Sequence, residues 1–452
     1  MVSCTKVQIL SPEILYIPYA QGELPAVLSG KEDGPLLLAI DPYREDLFPD
    51  PALSFLQEDF LLLECGAPEK TLPGSEEELQ TWQEAIRFFR KERNYKGPVG
   101  VLGSSYGGYG AFYTALREEC ESVLLLSAPA DWDSYQWEND LPEDYLAQLG
   151  SLTRTASGDG SAKQAENREY TGEVLLVQGA NDHNVSLQQT QRFREQCTDL
   201  HLLLHQDGHS DLLHDAPDLL IGDQTARELV RQWFRETLSG EGSSLPAVLQ
   251  QSNIDGKFSA GTEETEEKVC PLFHGAAPLP LLPFPYSEKE TAVLSEQSLC
   301  FERMETGLLQ GNPLLALSFA GEIRSQRLCA ALYDIAEEPF PAYLLQEELG
   351  EKLPLSADGR SFRQTLTKRK LISFASFPIR ERMFAGMPPV FYELQEGHRL
   401  QLCLWLCEEG EVRLQELQLS IEKGMSPSLR YVSAAYPRPD PRRAPDRSPA
   451  RH

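Results

Sequence analysis

Three residues of this sequence have the types and the setting to activate a hydroxyl against a carbonyl carbon: Ser105, Asp182 and His209. A serine is a poor nucleophile at neutral pH. It needs a base to take its proton, and the base needs an acid to fix its tautomer and stabilise its cation. Ser105 lies in Gly103-Ser104-Ser105-Tyr106-Gly107, after the apolar run Val99–Leu102 and before a helical pattern through Phe112 and Leu116. Strand, sharp turn and helix are the context in which G-x-S-x-G exposes its serine, and small residues at both glycines let the turn close. Asp182 ends Gly179-Ala180-Asn181-Asp182, directly after the apolar run Val174–Gln178. His209 sits in Asp207-Gly208-His209-Ser210, after Leu202–Leu204. His183, His205 and His214 compete as the base, and Asn181 or Asp207 as the orienting group. A developing oxyanion requires two donors. The backbone N–H of Tyr106, at a helix N-terminus, is one, and the Tyr43 hydroxyl in Asp41-Pro42-Tyr43-Arg44 can supply the second.

The elements that must hold these groups follow from the apolar pattern. Leu36–Ile40, Phe60–Leu63, Val99–Leu102, Val123–Leu126 and Val174–Val177 are apolar on both faces, as buried parallel strands are. Ser75-Glu76-Glu77-Glu78 has capping-box spacing and opens a helix whose Leu79, Trp82, Ile86 and Phe89 share one face. Strands alternating with helices predict a doubly wound α/β domain over residues 1–238, with an antiparallel lead-in before Leu28 and Leu202–Leu204 as the last strand. Residues 130–172 read as a short insertion over the sheet's carboxyl edge. Its Trp132, Asp133 and Trp137 are candidates for contacting substrate, and its acids either receive a cationic or amino-terminal group or form a solvated edge. Residues 239–268 are polar and acidic and read as a linker. Residues 269–433 carry short strand patterns suited to a β-sandwich, and 434–452 form a Pro/Arg-rich tail expected to be disordered.

The totals narrow the partners. With 69 acidic against 41 basic residues, net charge −28, nucleic acid and anionic membrane are poor partners. A small-molecule ester, amide or short peptide is the expected substrate. Nine scattered cysteines show no zinc-type spacing, and no apolar run has transmembrane or secretory form. Reduced buried thiols and a cytoplasmic location are therefore expected. The chemistry requires no metal or organic cofactor.

Gly103–Gly110, the Asp41–Arg44 turn, the Gly179–Asp182 and Asp207–Ser210 turns, Ala331–Ile335 and Glu396–Leu402 together resemble the X-Pro dipeptidyl-peptidase and cocaine-esterase (CocE/NonD) serine hydrolases. The resemblance implies an α/β-hydrolase domain with a cap, followed by a C-terminal jelly-roll sandwich that walls the cleft or joins copies of the chain. It also implies that Tyr43 donates its hydroxyl to the oxyanion. The segment between Leu126 and Val174 is shorter than the cap of that family, which favours an esterase or acyl hydrolase over an X-Pro peptidase. A protein that keeps the fold only for binding or scaffolding is the rival of another class. The order Ser, Asp, His along the chain argues against it.

Overall fold

The computed structural model describes residues 9–424 except 45–46, 69–70, 72–74, 131–168, 183–184, 186, 262–264, 286–287, 305–306, 312, 324–325, 344–363 and 389. Nearly all of the expected insertion, and the whole Pro/Arg-rich tail, lie outside the described residues.

Strands β1 (Ile9–Tyr19), β2 (Gly22–Lys31), β3 (Leu36–Ile40), β4 (Leu61–Cys65), β5 (Val99–Ser104), β6 (Ser122–Leu126), β7 (Tyr170–Gly179) and β8 (Cys197–His205) belong to one sheet. Helices α1 (Glu76–Glu92), α2 (Tyr106–Glu118), α3 (Leu187–Gln196), α4 (Leu212–Asp215) and α5 (Ala226–Ser239) accompany it. Short β9 (Leu220–Ile221) and β10 (Gln224–Thr225) form a separate ladder, while β11 (Val248–Gln251) and β12 (Phe258–Ala260) complete the sheet. Its order is β1-β2-β4-β3-β5-β6-β7-β8-β11-β12. From β4 to β11 the neighbours are parallel. The β1–β2, β2–β4 and β11–β12 pairs are antiparallel.

Strand β3 shows why the central runs are wholly apolar. Leu36, Leu38 and Ile40 pack in one core with Trp82 and Phe89 of α1 and Phe112 of α2. Leu37 and Ala39 point the other way, into a core with Trp233 and Phe234 of α5. With helices on both faces, the period of two has no solvent side to reveal it. Helix α5 is fixed at its start by a reciprocal Thr225–Glu228 capping box and ends on Gly240 at φ 79°. At α1, Ser75 Oγ accepts the Glu78 N–H at 3.2 Å. The buried Glu78 carboxylate also accepts from the Tyr106 hydroxyl, a use that spacing did not reveal.

Two expectations are corrected here. Residues 239–268 are not simply a linker, and Leu202–Leu204 is not the last strand. Val248-Leu249-Gln250 pairs in parallel with Leu202-Leu203-Leu204, and β12 follows it. The polar composition misled because its side chains are satisfied inside: Gln251 Oε1 accepts the Gln206 N–H at 2.9 Å and its Nε2 donates to the Gly256 carbonyl at 3.0 Å.

Beyond this sheet come β13 (Thr265–Pro278), α6 (Glu288–Ser295), β14 (Leu299–Met304), β15 (Gly307–Gly311), β16 (Leu314–Gly321) and β17 (Arg327–Tyr343). They are followed by β18 (Gln364–Pro378), β19 (Arg382–Gly386), β20 (Val390–Leu394), β21 (Arg399–Leu406) and β22 (Val412–Gly424). They form two antiparallel sheets, β19-β16-β22-β15-β20 with β13 on β22, and β14-β21-β17-β18. Leu315, Leu317 and Leu417 of the first share a core with Leu328, Leu332, Leu402 and Leu404 of the second. Among the described residues, no helix is long and apolar enough to cross a membrane.

Candidate active site

Strand β5 delivers Ser105 to a turn with almost no room. A Cβ on Gly103 would lie 2.3 Å from the Gly107 carbonyl oxygen, and one on Gly107 would lie 2.3 Å from that of Ile40. Ser105 itself adopts φ 51° and ψ −123°, a conformation that costs an L-residue of order 1–3 kcal/mol. The Ser105 N–H donates to the Leu126 carbonyl of β6 at 2.7 Å, and its own carbonyl accepts from Gly108 N–H at 3.0 Å as α2 begins. The strained residue is therefore held from both sides, with its side chain above the carboxyl edge of the sheet.

The turns after β7 and β8 bring the other two groups to it. His209 Nε2 is 2.9 Å from Ser105 Oγ, and His209 Nδ1 is 2.9 Å from Asp182 Oδ2. A carboxylate only accepts, so Nδ1 carries the proton and Nε2 is left to accept from the serine hydroxyl. The Asp182 side chain has no exposed surface. Its Oδ2 also accepts from Gln178 Nε2 at 3.0 Å, and its Oδ1 accepts the Val185 N–H at 2.8 Å. These bonds compensate the buried charge and set the carboxylate plane.

The competing groups have other partners. Asn181 Nδ2 donates to the Gln206 carbonyl, and Asp207 Oδ1 accepts the Gly208 N–H at 2.8 Å. His205, buried on β8, accepts the Asp207 N–H through Nδ1 at 3.2 Å. His183 lies outside the described residues, as do Trp132, Asp133 and Trp137.

The Tyr43 hydroxyl faces the Ser105 side chain and the Tyr106 backbone N–H, within reach of a hydrogen bond to each. Tyr43 is 54% exposed as a whole, yet partial desolvation of its hydroxyl against the serine turn, with the Asp41 and Glu78 carboxylates nearby, raises its pKa above the usual phenol value. The hydroxyl thus stays protonated and able to donate at neutral pH. A Tyr43→Phe protein should lose about 100-fold in kcat with a small change in KM, the usual cost of one oxyanion donor. Steady-state kinetics retaining more than a third of kcat would remove Tyr43 from this role.

A charged chain ties the Tyr43 loop to the His209 loop, and nothing in the sequence announced it. Arg44 pairs with the buried Glu64 of β4, whose Oε2 also accepts the Asp50 N–H at 2.8 Å. Asp50 Oδ2 meets His214 Nε2 at 2.7 Å, and His214 Nδ1 meets Asp211 Oδ2 at 3.1 Å. Held between Asp211 and Asp50, His214 has its pKa raised to about 10 and is an imidazolium at neutral pH. Burial alone would raise the Asp50 carboxyl, yet the bonds from His214 and the Ala52 N–H outweigh it and the net shift is downward. For a histidine whose folded pKa exceeds the unfolded value near 6.5, the stabilisation is complete below about pH 6.5. It declines as pH rises and is gone above the folded pKa of about 10. The His214 side chain is 46% exposed, so solvent screening keeps the effect small. In thermal denaturation, the gap between wild-type and His214→Gln proteins should narrow from pH 6.5 to 10. A gap independent of pH would exclude the clamp.

The C-terminal sheets reach this loop from behind. Gln206 Nε2 donates to the carbonyls of Gln251 at 3.0 Å and Phe391 at 3.3 Å. Asn253 exchanges two bonds with the Glu393 backbone, 2.7 and 3.0 Å long.

Residues 76–216 match the model of the prolyl oligopeptidase family, a stretch containing Ser105, Asp182 and His209. No curated protein matches the sequence. Similar solved structures extend over nearly the whole chain. An aminopeptidase from the marine sediment archaeon Thaumarchaeota archaeon is 13% identical, with TM-score 0.59 over 91% of this chain and 96% of its own. A CocE/NonD family hydrolase from Staphylococcus aureus is 12% identical, with TM-score 0.61 over 92% and 93%. An α-amino acid ester hydrolase is 14% identical, with TM-score 0.58 over 92% and 96%. At such identities the likeness is one of fold. With a segment that is similar to the prolyl oligopeptidase family spanning the serine turn, and a largely parallel sheet covered by helices around it, the chain is a serine hydrolase.

Proposed function

We propose that the chain cleaves esters or amides through an acyl-enzyme on Ser105. The observation that carries this reading is the unbroken relay of 2.9 Å contacts from Ser105 Oγ through His209 to the buried Asp182. His209 Nε2 takes the hydroxyl proton as Ser105 Oγ attacks the carbonyl carbon. The oxyanion takes the hydrogen bonds of the Tyr43 hydroxyl and the Tyr106 N–H, which touch each other in the resting site. The His209 imidazolium, stabilised by Asp182, protonates the leaving group. Water then enters, gives its proton to His209, and releases the acid.

The preferred acyl group is neutral or cationic, because the Asp41 and Glu78 carboxylates already bear on the Tyr43 hydroxyl. An α-amino acid ester is such a substrate. The C-terminal sandwich is read as a jelly roll that buttresses the base-bearing loop through Gln206 and Asn253.

The test is a panel of aryl esters with neutral, aminoacyl and carboxylate-bearing acyl groups, together with aminoacyl and X-Pro anilides. Turnover of neutral and aminoacyl esters is expected, with kcat/KM at least about tenfold lower for the anionic acyl group. Faster cleavage of X-Pro anilides would make the chain a dipeptidyl-peptidase. Folded protein that turns over nothing would place it among binding proteins.

A further inference from the structure

In the four-stranded C-terminal sheet, β14 and β21 set Cys300 directly opposite Cys403 in antiparallel register. Opposed residues of such a pair have Cα atoms about 4.5–5.5 Å apart, inside the range of roughly 4.4–6.8 Å that a disulfide spans. The two free thiols lie with their sulfurs 2.7 Å apart. Their surroundings differ. Cys300 is exposed on the edge strand of the four-stranded sheet, and Cys403 is buried. Arg369 Nη2 donates to Cys403 Sγ at 3.2 Å and rests its guanidinium 3.9 Å over the Tyr333 ring. Ser298 Oγ lies 3.4 Å from Cys300 Sγ. Hydrogen bonding with Cys403 and Ser298, with the Arg369 charge, holds the Cys300 thiol below its usual range against partial desolvation of its sulfur and the Glu302 carboxylate. Although Cys300 Sγ also donates to the Ser295 carbonyl at 3.3 Å, an exposed thiol directly beside a second one is the arrangement that peroxide oxidises selectively.

We propose that Cys300 and Cys403 form a reversible, peroxide-responsive thiol–disulfide pair, with Cys300 as the attacking sulfur. The Cys300 thiolate attacks one oxygen of hydrogen peroxide and the O–O bond breaks. Hydroxide leaves and takes a proton to become water, and Cys300 becomes a sulfenic acid. Cys403 then loses its proton and attacks the Cys300 sulfur. The S–O bond breaks, hydroxide leaves with that proton as a second water, and the disulfide forms. Two thiols are oxidised and one peroxide is reduced. The new bond ties the edge strand β14 to β21.

The test uses the full chain, fully reduced and then exposed to equimolar hydrogen peroxide, with free thiols alkylated before non-reducing peptide mapping. A Cys300–Cys403 cross-link, about 2 Da lighter than the two peptides and lost on reduction, is the expected product. In Cys403→Ser, the sulfenic acid should accumulate at Cys300 and be captured by dimedone. Should that variant not fold, the wild-type map still decides. Cys300 remaining fully alkylatable, or a link formed between Cys329 and Cys407 of the same sheet instead, would overturn the proposal.

Discussion

Replacing Ser105 by alanine should reduce kcat/KM for any accepted ester by about 10⁴–10⁶-fold, leaving only what the oxyanion donors and binding supply. The change removes one oxygen and nothing else the site depends on. Alanine inherits the same unfavourable φ of 51°, so the turn remains strained and no stability is regained through it. The Tyr43 hydroxyl loses one partner but keeps the Tyr106 N–H. A melting temperature close to wild type is therefore expected alongside the lost activity. If the variant kept more than about a hundredth of the wild-type rate, the nucleophile would lie elsewhere.

The second large effect is expected from Asp182→Asn, about 10⁴-fold in kcat at neutral pH. Both carboxylate oxygens are already committed: Oδ1 accepts the Val185 N–H, and Oδ2 accepts from Gln178 Nε2 as well as from His209. An amide has one oxygen to offer. If it faces Val185, its NH₂ group confronts His209 Nδ1, which must then accept. The imidazole proton moves to Nε2, and the serine loses its base. If the amide turns round, a buried N–H of Val185 is orphaned at a cost of about 1–3 kcal/mol. The accompanying readout is a lowered melting temperature or a shifted pH–rate profile. Wild-type kcat with both unchanged would show that Asp182 does not orient His209.

Much of this was legible from the sequence because the signals are local. The purely apolar runs of β3 to β8 announce strands covered on both faces, and the turns after them carry Ser105, Asp182 and His209 within a few residues. What was hidden depends on pairing across the chain. Strand β11 is concealed by Gln250 and Gln251, both buried, and Gln251 is satisfied there by Gln206 of the loop after β8. Asp50 and His214 meet across 164 residues, and Cys300 and Cys403 across 103, so neither pair leaves a spacing to read. Glu78 looked like half of a helix cap, while its carboxylate also serves the Tyr106 hydroxyl. In each case the missing information was which distant strands, helices and turns pack against one another.

The central claim is that Ser105 is a serine made nucleophilic by His209. Reaction of the intact protein with a fluorophosphonate probe, followed by peptide mapping, tests it most directly. Stoichiometric phosphonylation of Ser105 is predicted, lost in Ser105→Ala and slowed by about 10³-fold or more in His209→Ala. Folded protein that leaves Ser105 unlabelled, or a Ser105→Ala protein that labels as fast as wild type, would contradict it.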